Sequence, residues 1–244
     1  MRLLVFSKRC FKELLRDPLT LIFGAGFPVT ILLLLSVMNR NIPAEVSMFE
    51  VSHLTPGVIV FGFSFLALFG GLLLSTDRET AFLTRLFTSP LRASDFILGY
   101  ALPLLPVGVV QALICLAVAL AFGLSFSVHM LTMLLFLLPV LALFIGIGLL
   151  FGSLMNSKQV GSLCGALLTN LSAWLSGTWF SLDLLGKGFK AFAYCLPFAN
   201  AVDAARAALA GDFTNIWKPT LIVSAYAIAV CTLAVLCFRK KMRA

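Results

Sequence analysis

Charged residues fall in bunches along the chain, and the uncharged runs between the bunches are of bilayer length. Between Asp17 and Arg40 lie 22 residues without a charge, and between Glu50 and Asp77 lie 26, counting His53 as neutral. A bilayer core needs about 20 apolar residues in helical form, so each run predicts one spanning helix. Between Asp95 and Lys158 the run reaches 62 residues, interrupted only by His129. That is too long for one helix and suits two, joined near Gly123 to His129. Lys158 to Asp183 encloses 24 uncharged residues and Lys218 to Arg239 encloses 20, predicting a fifth and a sixth. The pattern predicts an all-α integral membrane fold, a single domain over 1–244, with spans at about 19–38, 56–76, 96–122, 130–153, 159–181 and 218–238.

Between the spans the pattern changes character. Over 1–17, Leu3, Phe6, Cys10, Phe11 and Leu14 recur at helical spacing, while Lys8, Lys12 and Arg16, with Arg9 beside them, occupy another face. This predicts an N-terminal helix lying on the membrane surface, its basic stems reaching lipid phosphates. The run that follows is span-length and lacks a small-x-small cleavage site, so it is expected to stay in the protein rather than leave as a signal peptide. In the second loop, Phe82, Leu83, Leu86 and Phe87 form an apolar ridge flanked by Arg78 and Arg85. The acidic Asp77 and Glu79 suit a helix start, and Pro90 suits its end. A short helix between the second and third spans follows, and two readings are open: it rests on the membrane, or it receives a partner. Pro103, Pro106 and Pro139 predict kinks inside spans, and Gly146, Gly148 and Gly152 predict close helix packing. Ala191 to Val202 is uncharged but too short to cross, which predicts a re-entrant or interfacial segment on the outside. Beyond it, Asp203 and Arg206 stand three apart on one helical face of an external helix.

Composition narrows the class. With 61% hydrophobic and 11% charged residues, a soluble domain is excluded. The balance of 18 basic to 10 acidic residues gives +8. Of the 18, 13 fall on the face shared by the two termini. The positive-inside rule makes that face cytoplasmic, in the cell membrane. The basic residues border spans without any base-stacking motif, so membrane lipids, and no nucleic acid, are the expected partner. The six cysteines form no Cys-x-x-Cys pair and read as packing residues.

Several chemistries lack their residues. Carriers coupled to protons or sodium place ionisable groups inside spans, and the central run offers only His129. Ser176-Gly177 resembles a serine-protease site superficially, but Trp174 stands where glycine is needed. His53 has no companion ligand, so no metal site is expected, and no HExxH motif or paired carboxylates occur. No phosphate-binding loop occurs either, so catalytic residues and bound cofactors are expected to be absent. ATP-driven work would need ATP and Mg on a partner subunit.

The stretch Asp77-Arg78-Glu79-Thr80-Ala81, then Leu86-Phe87-Thr88-Ser89-Pro90-Leu91, then Phe96-Ile97-Leu98-Gly99, resembles the permease subunit of the ABC transporter type-2 family. Gly152-Ser153-Leu154-Met155-Asn156-Ser157-Lys158, Leu175-Ser176-Gly177-Thr178-Trp179-Phe180 and Leu196-Pro197-Phe198-Ala199 with Ala205-Arg206-Ala207 extend the likeness over most of the chain. Asp77 stands for the family's usual Glu, Ala81 for Gly, Tyr100 for Lys and Ser181 for Pro. The resemblance implies an exporter permease that pairs with a second permease, identical or similar. It also implies that Asp77, Arg78, Glu79, Arg85 and Pro90 form a coupling helix docking a cytoplasmic ABC ATPase, with Lys8, Arg9, Lys12 and Arg16 at the membrane interface. In the family the second and fifth spans tend to line the path, so Phe61, Phe65, Phe69, Asn170, Trp174 and Thr178, each set four residues apart, are path candidates for an apolar or amphipathic cargo. Ordinary packing is the other reading of those six. A membrane-embedded enzyme, or an immunity or scaffold protein without transport, are the competing functions.

Overall fold

The computed structural model describes residues 2–40, 50–80 and 92–243, and no strand occurs among them. In chain order the helices are α1 (Arg2–Arg16), α2 (Pro18–Asn39), α3 (Val51–Glu79), α4 (Ala93–Ala121), α5 (His129–Leu154), a segmented α6 over 157–175, α7 (Lys187–Cys195), α8 (Pro197–Ala210) and α9 (Trp217–Arg243). Five of these, α2, α3, α4, α5 and α9, are long and apolar enough to cross a bilayer. They answer to the first four and the last of the runs predicted from charge spacing. Of the expected coupling helix, Arg85 and Pro90 lie outside the described residues, while Asp77, Arg78 and Glu79 lie within them.

The fifth run takes a different form. It is helical as Ser157–Val160, then π-helical over Gly161–Leu168, then α-helical over Thr169–Leu175. The Thr169 hydroxyl donates to the Cys164 carbonyl, five residues back, at 2.9 Å, which suits the wider π turn. The helix stops at Leu175, short of the expected 181, because Gly177 takes the left-handed φ of +68°.

Helix α3 is the axis of the fold: 83% of its apolar window is buried by protein, against 22% for α9. Its approach to α5 depends on residues without side chains. A Cβ on Gly148 would stand 2.0 Å from the Ala67 carbonyl oxygen, and one on Gly152 would stand 2.6 Å from that of Gly71. Ala67 and Gly71 on α3 thus face Gly148 and Gly152 on α5, a small-residue seam with i, i+4 spacing on both sides. Contacts this close let dispersion and Cα–H···O interactions act where lipid supplies no hydrophobic drive.

The N-terminal helix is placed differently from a helix floating on lipid. Its apolar face turns into the protein: Phe6, Cys10 and Leu14 are buried, and the Phe6 ring meets Phe96 at 5.6 Å and Tyr100 at 5.0 Å, both edge-on. Gly99 opens the seat, since a Cβ there would collide with the Phe6 ring. The outward face carries the exposed Leu4, Val5 and Leu15 together with Lys8, Lys12 and Arg16.

The segment after α6 packs back onto the bundle in two pieces. Helix α7 is largely exposed, with Phe192 and Tyr194 outward. Pro197 at the first turn starts α8, whose alanines let it lie close against α3 and α5, with Phe198 against Phe144 at 5.9 Å. Gly211, at φ +74°, ends it beneath the His129 ring.

Candidate functional site: a junction at Asp77-Arg78-Glu79

The last turn of α3 brings three consecutive charges to four different elements. Asp77 is 5% exposed and accepts from Arg9 of α1 through both guanidinium nitrogens, at 2.5 and 3.0 Å, and from the Tyr100 hydroxyl of α4 at 2.7 Å. Arg9 in turn reaches Glu13, one helical turn on, at 2.9 Å. The hydrogen bond to Asp77 drives the Arg9 guanidinium above its already high range, so it carries a charge at all accessible pH. Burial beneath it pushes the Cys10 thiol up to about 12 and raises the Glu13 carboxyl. Cys10 is thus a neutral packing residue.

Arg78 and Glu79 bridge the turn between α5 and α6. The Arg78 guanidinium donates to the carbonyls of Gly152, in the last turn of α5, at 2.5 Å and of Met155, which caps that helix, at 3.2 Å, where a helix end leaves carbonyls without intrahelical partners. The Glu79 carboxylate accepts from the backbone N–H and the hydroxyl of Ser157, at 2.6 and 2.7 Å, at the start of α6. A cation therefore meets a helix C-terminus and an anion meets a helix N-terminus, each with the favourable sign of the helix dipole. The turn between them is fixed from its own side. The Asn156 side chain accepts from the Gln159 N–H at 2.8 Å, and Gln159 returns a carbonyl to the Asn156 N–H at 3.2 Å.

Of the four charges predicted to dock a partner, the three described ones thus have partners within the chain, and the residue that follows them opens the second loop. The root of that loop is therefore tied to α1, α4, α5 and α6. Tyr100 and Ser157 are the members that sequence reading passes over. Tyr100 stood only as an oddity at a position where the family has Lys. The Asn156-Ser157-Lys158-Gln159 spacing did carry a capping-box signal.

The six path candidates do not form one surface. Phe61, Phe65 and Phe69 are buried; Phe65 meets Phe23 and Phe27 of α2 and Phe61 meets Phe27, at 5.3 to 6.4 Å, with Trp179 5.6 Å from Phe61. Asn170 and Trp174 share an exposed face of α6, where Asn170 bonds back to the Ala166 carbonyl at 2.7 Å. Thr178 lies past the end of that helix, 1% exposed, bonded to Ser176 at 2.7 Å and pressed against Gly57.

At the opposite end of the bundle, Arg206 of α8 holds two other elements. It donates to the His53 carbonyl at 3.2 Å, to the His53 Nδ1 at 3.2 Å and to the Gly177 carbonyl at 2.9 Å. Because arginine only donates, the His53 Nδ1 must be the acceptor nitrogen. Burial lowers the Arg206 guanidinium, with Asp203 opposing the shift. Asp203 itself accepts from the Tyr194 hydroxyl at 2.6 Å, so the two charges of α8 turn to different partners. Inside the bundle, Gln111 of α4 was also missed: it is 1% exposed, donates to the Ile59 carbonyl at 3.4 Å and fills the space that Gly62 leaves open.

A family model described as ABC-2 type transporter matches residues 1–210. The chain is also similar to a protein named as transport permease ycf38 of Cyanophora paradoxa, 37% identical over 99 residues, which covers 39% of this chain and 34% of that protein. The match thus spans about a third of that relative's length. With five bilayer-length helices and a family match over most of its length, the chain belongs to the ABC-2 type transporter family as a multi-pass transmembrane permease.

Proposed function

We propose that the chain is the membrane half of an ATP-driven exporter, energised by a separate ABC ATPase subunit that carries ATP and Mg, and that it works beside a second permease. The observation that supports this most is the junction at Asp77-Arg78-Glu79. A loop tied at its root to four helices is suited to converting the push of a docked subunit into relative movement of those helices. The side chains of the junction are positioning residues: they hold the root, and the docked surface is the loop beyond it together with the outward basic face of α1.

The run over 157–175 serves as the fifth of six spans in this reading. Nineteen residues at helical rise reach roughly 28 Å, close to the hydrocarbon thickness, and the π-helical centre shortens this slightly. Both termini then lie on the cytoplasmic side, where the basic residues of α1 and the end of α9 meet the inner leaflet. The cargo is apolar or amphipathic, and the exposed Asn170 and Trp174 of α6 face its path. The buried Phe61, Phe65 and Phe69 brace that path from behind.

Co-expression with a candidate ABC ATPase tests the proposal. The two are expected to co-purify, with the ATPase's basal turnover altered by the permease. An ATPase that neither co-purifies nor changes its turnover would sink it.

A further inference from the structure

The start of α4 and the end of α9 enclose a crevice of about 570 Å³, lined by Arg92, Ala93, Ser94, Val235, Arg239 and Met242. The two helices are packed directly beneath it, with the Phe96 and Phe238 rings 5.7 Å apart. Arg92 and Arg239, from opposite walls, are exposed and have no ion-pair partner among the described residues. Asp95, the acid of this turn, accepts the Arg92 backbone N–H at 2.9 Å and so is turned to the backbone. The walls continue as apolar rails. One and two turns beyond Ser94 stand Leu98 and Leu102, both exposed, and two turns beyond Val235 stands the exposed Ile228.

We propose that this crevice binds the headgroup of an anionic phospholipid, its phosphate held between Arg92 and Arg239 and its acyl chains laid along the rails. Two guanidiniums suit a phosphate by charge and by the geometry of their donors. Apolar rails leading away from the two arginines into the spans suit a lipid rather than a soluble anion. A basic pocket between spans at the membrane edge is the kind of site that takes acidic lipid headgroups. The inference rests on the membrane reading of α4 and α9, and is independent of whether an ATPase docks.

The test is lipid retention by the purified full chain in micelles, titrated with phosphatidylglycerol, phosphatidylcholine or inorganic phosphate and read by native mass spectrometry. Phosphatidylglycerol is expected to be retained in preference to phosphatidylcholine. Each basic side chain at a membrane surface is worth about fivefold, so R92Q with R239Q should cut that preference by about 30-fold. R92K with R239K should keep most of it, and K187Q with K218Q, which removes equal charge away from the crevice, should keep it within about twofold. If the double glutamine variant does not fold, R92Q and R239Q singly should each lose about fivefold. An unchanged preference in the glutamine variants overturns the proposal, as does an equal loss in K187Q with K218Q, which would mean diffuse surface charge. Displacement of the lipid by inorganic phosphate at equal concentration also overturns it, in favour of a free-anion site. Retention of no lipid of either kind also overturns it.

Discussion

Replacing Asp77 by alanine should detach α1 from the bundle. The carboxylate receives two charge-assisted hydrogen bonds from Arg9 and one from Tyr100, and it is almost wholly buried. Removing one partner of a buried ion pair costs about 3 to 5 kcal/mol. The Arg9 side chain is 35% exposed and can recover water and its bond to Glu13, so about 2 to 3 kcal/mol is expected here. Arg9→Ala leaves Asp77 with the Tyr100 hydroxyl alone and should cost a similar amount. The two losses should not add, because both remove one interaction, and the coupling in a double-mutant cycle should be about 1.5 kcal/mol or more. Tyr100→Phe should cost about 1.5 to 3 kcal/mol, since a single hydrogen bond to a charged acceptor is lost while the ring packing on Phe6 remains. The assay is denaturant unfolding of the micelle-solubilised chain, with amide hydrogen exchange over 2–16 as the local readout. Coupling below about 0.5 kcal/mol between positions 9 and 77, or unchanged protection of α1 in Asp77→Ala, would refute the reasoning.

Four further outcomes follow from the same geometry. Gly148→Ala puts a methyl group 2.0 Å from a backbone carbonyl and should cost about 1 to 3 kcal/mol, whereas Gly161→Ala, with nothing within 4 Å, should stay within about 0.5 kcal/mol; thermal midpoints of the two variants compare them directly. Arg206→Gln removes the ties to His53 and Gly177 and should speed proteolytic cleavage over 176–186 without changing that over 92–121. Charge reversal in Glu79→Lys sets a cation against the start of α6 and should weaken ATPase co-purification, while Glu79→Gln, which can still accept from Ser157, should weaken it less. Hydrogen bonds from Thr214 and Asn215 hold the Asp212 carboxyl at about 2, below the usual carboxylate range. A depressed acid contributes fully above its unfolded value, so this turn should persist through mild acid and loosen only as pH falls through about 2, read from the Thr214 amide resonance.

Charge spacing alone located the long helices because burying an ionised group in lipid is so costly that the sequence must segregate its charges. The same logic missed where α6 ends, since Gly177's left-handed φ depends on local backbone geometry that a count of uncharged residues does not register. It also put the Phe6 face of α1 into lipid, because periodicity reports that a face is apolar and not what covers it. Gly99 is the feature that makes the third span the better cover. At the junction, Asp77, Arg78 and Glu79 were legible as a charged cluster at a span end, but their partners come from positions 23 to 78 residues away. Nothing local in the sequence signals such contacts. The four-residue spacing of Asn170, Trp174 and Thr178 failed for the plainest reason: the helix that would carry it stops before the third of them.

The central claim is that movement at the root of the second loop drives the membrane helices. The most direct measurement is ATP-dependent export of a fluorescent amphiphile from proteoliposomes containing the permease and its ATPase, comparing the native chain with the Asp77→Asn, Glu79→Gln double variant. The account expects the double variant still to bind the ATPase and still to permit ATP turnover, while export falls out of step with turnover and drops severalfold. Export that tracks ATP turnover equally well in both would contradict it.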